Sequence, residues 1–101
     1  MDIPVKEQLY LLLHEVPEGR FTTYGRLANM LPGVHARQVA RILSQLPDGT
    51  ALPWHRVVNS QFKVSDFHGS GEQSARLIAE GLLISASGRL PKDKLWPDAI
   101  E

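Results

Sequence analysis

The stretch TTYGRLANMLPGVHARQVARILSQL, residues 22–46, decides how this chain folds. It opens on threonines suited to cap a helix, after which Leu27, Met30 and Leu31 fall where a short helix turns them inward. Pro32 and Gly33 stop that helix, and a second begins almost at once in HARQVARILSQL. Ala36, Val39, Ala40, Leu43 and Leu46 form its apolar stripe, while Arg37, Arg41 and Ser44 share another face at i, i+4 and i+7. Two short helices joined by a tight turn, the second showing a basic stripe, read as a helix-turn-helix.

Outward from this unit the chain stays short and regular. Before it, VKEQLYLLLHEV places Val5, Leu9, Leu12, Leu13 and Val16 on one helical face, and Pro17 to Gly19 break it. After it, residues 52–64 turn extended, and two β-like runs around Asn59-Ser60 predict a short β-hairpin or wing. SGEQSARLIAEG predicts a last helix, with Ser70 and Gln73 at capping-box spacing, Ile78 and Leu82 inward and Gly81 near its end. The tail offers a turn at Ser87-Gly88 and a tryptophan, Trp96, expected to anchor it to the body. The expected fold is mainly α: a winged-helix-like helix-turn-helix with a short β-hairpin, one domain over residues 1–101.

Bulk numbers fit that picture. The 101 residues are 43% hydrophobic and 22% charged, ordinary for a soluble globular domain. No apolar run approaches bilayer length, so no membrane partner is expected, and the start lacks a signal-peptide pattern. A cytoplasmic protein is expected, nucleoid-associated if bacterial. Eleven basic residues balance eleven acidic ones, so nucleic-acid binding must come from locally clustered arginines and not from net charge.

Catalytic and metal chemistry find little footing. There is no cysteine. His14, His35, His55 and His68 are spread without ligand spacing, which leaves no expected metal site and no cofactor. GSG at residues 69–71 lacks the lysine and spacing of a P-loop, and no serine sits in a nucleophile elbow. What remains is LPWHRVV, residues 52–58, which sets an indole, an imidazole and a guanidinium side by side. A tryptophan after a proline is commonly core filling. Beside His55 and Arg56, and following a DNA-binding unit, Trp54 could equally line a pocket for a base taken out of its stack. Arg37 and Arg41, with the hydroxyls of Thr22, Thr23 and Tyr24 in RFTTYG, are then the candidate nucleic-acid contacts. The same pattern also fits a helix-turn-helix regulator of undamaged DNA whose Trp54 is buried.

VPEGRFTTYGRLA, ARQVARIL, PWHRVVNS and the Glu80-Gly81 pair, in this order and spacing, resemble the C-terminal domain of O6-alkylguanine-DNA alkyltransferases. That family carries Pro-Cys-His-Arg-Val, whose cysteine accepts the alkyl group; here Trp54 holds the position, as in the alkyltransferase-like proteins. The resemblance runs from about residue 16 to about residue 81. It implies a helix-turn-helix that enters the minor groove, with Tyr24 helping to turn the target nucleotide outward. Arg37 is then the finger that fills the vacated stack, and Ala36, Arg41 and Ser44 face the groove. His55 and Glu80 match the relay that activates the missing thiol. Tyr24, Trp54, His55, Val57 and Phe67 are the expected lesion pocket.

On this resemblance the chain is expected to be a non-enzymatic sensor of O6-alkylguanine in duplex DNA. It would flip the lesion against Trp54 and hand it to the damage-recognition proteins of nucleotide excision repair. A monomer is expected. Two stretches depart from the alkyltransferase pattern: SQLPDG lacks the hinge asparagine, and SDFHGSG replaces the loop that closes over the base, with no arginine in it.

Overall fold

A computed structural model of the chain describes residues 3–47, 49–64 and 71–97. Helix α1 (Val5–His14) buries Leu9 and Leu13 completely and is followed by the buried Val16. Strand β1 (Thr22–Thr23) leads without a break into α2 (Tyr24–Asn29), because Thr23 is extended and its hydroxyl caps the helix by accepting from the Arg26 N–H at 3.1 Å. Helix α3 (Ala36–Ser44) follows the turn at Pro32-Gly33. A single 3-10 turn (Trp54–Arg56) then feeds β2 (Val57–Val58). Helix α4 (Glu72–Ala79) and a second 3-10 turn (Lys92–Lys94) complete the described elements. The helix-rich fold with its helix-turn-helix is as the sequence predicts.

The strands correct one part of that prediction. Val57–Val58 do not start a hairpin; they pair in parallel with β1, Thr22 opposite Val57 and Thr23 opposite Val58. Parallel neighbours need a long crossover, and here α2 and α3 are that crossover. Phe62 follows the Asn59-Ser60 turn in a left-handed conformation, φ 64°. The Asn59 side-chain oxygen holds this turn by accepting from the Gln61 and Lys63 N–H groups at 2.9 and 3.0 Å. The Phe62 ring meets Phe21 edge-on at 5.5 Å. The outgoing arm is thereby led to the tail, where Lys63 bridges Arg89, and not back along β2.

The parallel pair divides the core. Successive strand residues point to opposite faces, so Val57 packs with Leu9, Leu13, Val16, Leu27 and Val39, while Val58 packs with Phe21, Leu77, Leu82, Leu90 and Leu95. The tail joins through Phe21, whose backbone bridges Leu95 and whose carbonyl accepts from the Trp96 N–H at 2.7 Å. Trp96 packs on the first cluster as an anchor, as expected. Three side chains expected inward are not: Met30 is 38% exposed, Ile78 59%, and Ala36 is exposed as well. In α4 the buried apolar position is Leu77, one residue and hence about 100° earlier.

Helix α4 ends in a Schellman motif. Gly81, at φ 92°, donates to the Ile78 carbonyl, Leu82 donates to Leu77, and the side chains of Leu77 and Leu82 meet in the second core cluster. This fixes Glu80 at the helix end, where its carboxylate gathers two distant segments. It accepts from the Gly19 N–H at 3.1 Å, from His55 Nε2 at 2.6 Å and from Arg56 Nη2 at 2.7 Å, with Arg56 Nε about equally shared between both oxygens. Arg56 Nη1 also reaches the Val16 carbonyl at 2.9 Å. Gly19 is itself close-packed, since a Cβ there would lie 3.4 Å from the Glu80 carbonyl oxygen.

Burial would raise the Glu80 carboxyl, but hydrogen bonds from Arg56, His55 and Gly19 overrule it and hold its pKa at about 2. A carboxyl whose folded pKa lies below its ordinary 4.5 stabilises the fold above that value and loses the contribution as pH falls toward 2. Acid unfolding followed by circular dichroism is therefore expected to fall between those two values. Glu80→Gln should lower stability near neutral pH by roughly 2–3 kcal/mol and flatten the dependence across the same window.

Candidate nucleic-acid interface

Helix α3 presents a one-sided surface. Val39 is its single fully buried residue, and Ala36, Arg37, Arg41 and Ser44 are exposed. Ala36 therefore lies outside the apolar stripe in which periodicity set it, on the side expected to meet a groove. His35, Arg37, Gln38 and Arg41 line an open depression at the start of the helix, so two guanidinium groups share one concave face. The Ser44 hydroxyl donates to the Arg41 carbonyl at 2.7 Å, which tethers it to its own helix.

The RFTTYG stretch is used differently from the expectation. Thr22 and Thr23 are buried, and the Thr23 hydroxyl is occupied as the α2 cap. Arg20 bonds the Lys94 and Leu95 carbonyls and Arg26 bonds the Pro97 carbonyl, which ties the tail to the helix-turn-helix. Tyr24 remains half-buried against the first core cluster. Burial pushes its phenol up, so the hydroxyl stays a protonated donor at neutral pH.

The indole of Trp54 stands apart. It is half-buried, belongs to neither core cluster, and is set by Pro53 and the 3-10 turn that follows. The His55 ring meets it edge-on at 6.2 Å and 89°, and the Arg76 guanidinium carbon lies 5.6 Å from its centroid. His55 is buried at 6% exposure. Its Nε2 faces an ionised carboxylate, which can only accept, so Nε2 donates to it. Nδ1 is buried and has no hydrogen-bond partner among the described residues. The pieces of a relay are in place, but the residue it would serve is an indole carbon framework and not a thiol.

Other expected pocket residues part company with Trp54. Val57 is fully buried in the first core cluster as part of β2, so it supports the turn from behind and offers no open wall. Phe67 lies outside the described residues, as does Ser70 of the expected capping box. Gln73, read from spacing as the other half of that box, is buried and donates through Nε2 to the carbonyls of His55 and Val57, at 3.2 and 3.0 Å. It pins α4 to both ends of the site turn. Sequence reading missed Gln73 and Gly19 as members of the site and gave Arg56, singled out beside Trp54, no role in holding Glu80. A glutamine at the start of a helix whose apolar phase points it inward was the available signal for the first.

The comparisons with known proteins agree with this geometry. Residues 4–82 match the family model described as 6-O-methylguanine DNA methyltransferase, DNA binding domain. The chain is 41% identical over 86 residues to a DNA base-flipping protein of Vibrio parahaemolyticus, covering 82% of this chain and 85% of that one. It is 37% identical over 82 residues to alkyltransferase-like protein 1 of Schizosaccharomyces pombe, covering 76% and 75%. The fold matches S. pombe Atl1 in complex with damaged DNA containing O6-carboxymethylguanine with a TM-score of 0.74 at 31% identity, over 90% of this chain and 93% of that one. With an exposed basic helix α3, an indole at the acceptor position and an intact histidine–glutamate pair behind it, this chain belongs to the 6-O-methylguanine DNA methyltransferase DNA-binding family, among its alkyltransferase-like members.

Proposed function

We propose that this protein senses alkylated DNA without repairing it. It binds duplex DNA containing O6-alkylguanine through the minor groove, turns the lesion out of the stack and holds it against Trp54. The observation that carries this reading is the placement of that indole: a large aromatic surface kept outside both cores, on a rigid turn beside the helix-turn-helix. A core tryptophan, as an ordinary regulator would have, would be expected inside one of the clusters. Atl1 of S. pombe, crystallised on DNA containing O6-carboxymethylguanine, is a relative that engages such a lesion.

The roles follow from the chemistry. Arg37 supplies a planar cation that can stack between bases and bond the orphaned partner, offsetting part of the few kcal/mol that flipping costs. Ala36 lets the helix approach the groove closely, and Arg41 and Ser44 lie on the same exposed face. Tyr24 donates at the phosphate of the turned-out nucleotide. His55 and Glu80 hold the floor of the pocket. No thiol exists to take an alkyl group, so the lesion leaves as it came, and a bound sensor competes with a true alkyltransferase. Retention is useful where other proteins act next; hand-off to nucleotide excision repair damage-recognition proteins is the partner role proposed here, by a monomer in the cytoplasm.

Titration into matched duplexes carrying guanine or O6-methylguanine, followed by polarisation, should show tighter binding to the lesion. Mass spectrometry should show unchanged protein and unchanged DNA. Equal affinity for both duplexes returns the regulator reading, and an alkylated protein makes it an enzyme. Arg37→Ala should weaken binding to both duplexes by about tenfold or more. Trp54→Ala should melt as a folded domain yet bring the ratio of lesion to guanine affinity down about tenfold, the lower part of the ~1–3 kcal/mol that stacking a base on an aromatic ring provides.

A further inference from the structure

Arg76 takes no part in the reading above, yet it sits on the side chain that matters most to it. Its guanidinium carbon, 5.6 Å from the Trp54 ring centroid, is at cation–π distance. Helix α4 places it there. Glu72, one turn earlier, accepts at a single oxygen, Oε2, from Nε at 3.0 Å and Nη2 at 2.8 Å. That grip takes the Nε–Nη2 edge of the fork, and the Nη1 edge carries further donors. The two side chains are 42% and 52% exposed. The ion pair is therefore a tether in water that orients the guanidinium over the indole, and solvent screens much of its mutual neutralisation.

We infer that Arg76 makes the pocket charge-selective: among O6-alkylguanines it favours substituents that end in an anion, such as a carboxylate, over neutral substituents of similar size. This deepens the lesion-binding reading and rests on it. A group packed against Trp54 lies within the Debye length of physiological salt, about 8 Å, from the guanidinium. A carboxylate there can accept from the Nη1 edge that the Glu72 grip leaves, whereas a neutral alkyl chain gains only contact with the ring. The position of the charge separates this from phosphate binding. Arg76 belongs to α4, which packs on the turn carrying Trp54, while the exposed arginines of α3 belong to the groove-facing surface. Arg76 is thus a specificity residue for the adduct and not a contact that strengthens DNA binding generally.

The test uses one duplex sequence carrying guanine, O6-carboxymethylguanine or O6-(2-hydroxyethyl)guanine, with affinities measured by polarisation at two salt concentrations. Wild type should bind the carboxymethyl duplex several-fold tighter than the hydroxyethyl one, and the ratio should shrink as salt rises. Arg76→Ala should lower the ratio several-fold and Arg76→Glu further. Arg76→Lys should keep part of it, and Glu72→Gln should raise it. Thermal melting identifies folded variants; if Arg76→Ala does not fold, the lysine and Glu72→Gln ratios decide. A ratio that does not move across these variants overturns the inference. If wild type prefers neither adduct to guanine, the lesion-binding reading itself fails; if it prefers both and only the ratio is fixed, the charge selectivity alone is lost.

Discussion

Hydrogen bonds from Gly19, His55 and Arg56 converge on the carboxylate of Glu80 and join the end of α4 to residues 61, 25 and 24 positions away. Taking a carboxylate out of water is unfavourable unless its lone pairs are satisfied by charged or well-aimed donors. Here they are, and the helix end that supplies Glu80 is fixed by the Schellman motif at Gly81. Where a cysteine stands at the acceptor position, a histidine and glutamate so arranged can draw off a proton. With Trp54 there is no thiol proton to draw, and the same pair holds the turn beneath the indole.

The arginines divide by what they touch. Arg20, Arg26 and Arg56 turn inward onto backbone carbonyls and a carboxylate, closing the tail and the site turn. Arg37 and Arg41 stay on the exposed face of α3. A chain with eleven basic and eleven acidic residues thus still offers a local cationic surface on α3, while three other cations are spent on architecture. Net charge alone would have hidden this.

Much of the fold was legible because its signals are local. Thr23 as a cap, Pro32-Gly33 as a stop and the spacing of Val39 within α3 each act over a few residues, and each holds. The strand pairing was not legible, because the turn signal at Asn59-Ser60 is local while the true partner of Val57–Val58 lies on the far side of the helix-turn-helix. Helical phase in α4 slipped by one position, exposing Ile78 and burying Leu77, since both are apolar and only tertiary packing separates them. Of the site, Trp54, His55 and Glu80 were legible through a resemblance between motifs. The inward use of Thr22, Thr23 and Gln73 was not, because hydroxyls and amides suit a phosphate, a cap or a strand carbonyl equally well. The Glu72–Arg76 pair could be read from its i, i+4 spacing, but its seat on the indole could not.

One feature of the strand pair reaches into kinetics. β1 ends in the residue that caps α2, α2 packs on α3, and β2 begins where the turn carrying Trp54 ends, so the strand pair ties the helix-turn-helix to the turn beneath the indole. In the sensing role proposed here, the nucleotide must cross from the stack to this anchored pocket, and the slow coordinate of recognition belongs to the duplex. Capture should be paced by how readily a given base pair opens, which favours a mismatched or weakly paired purine before any contact has inspected it.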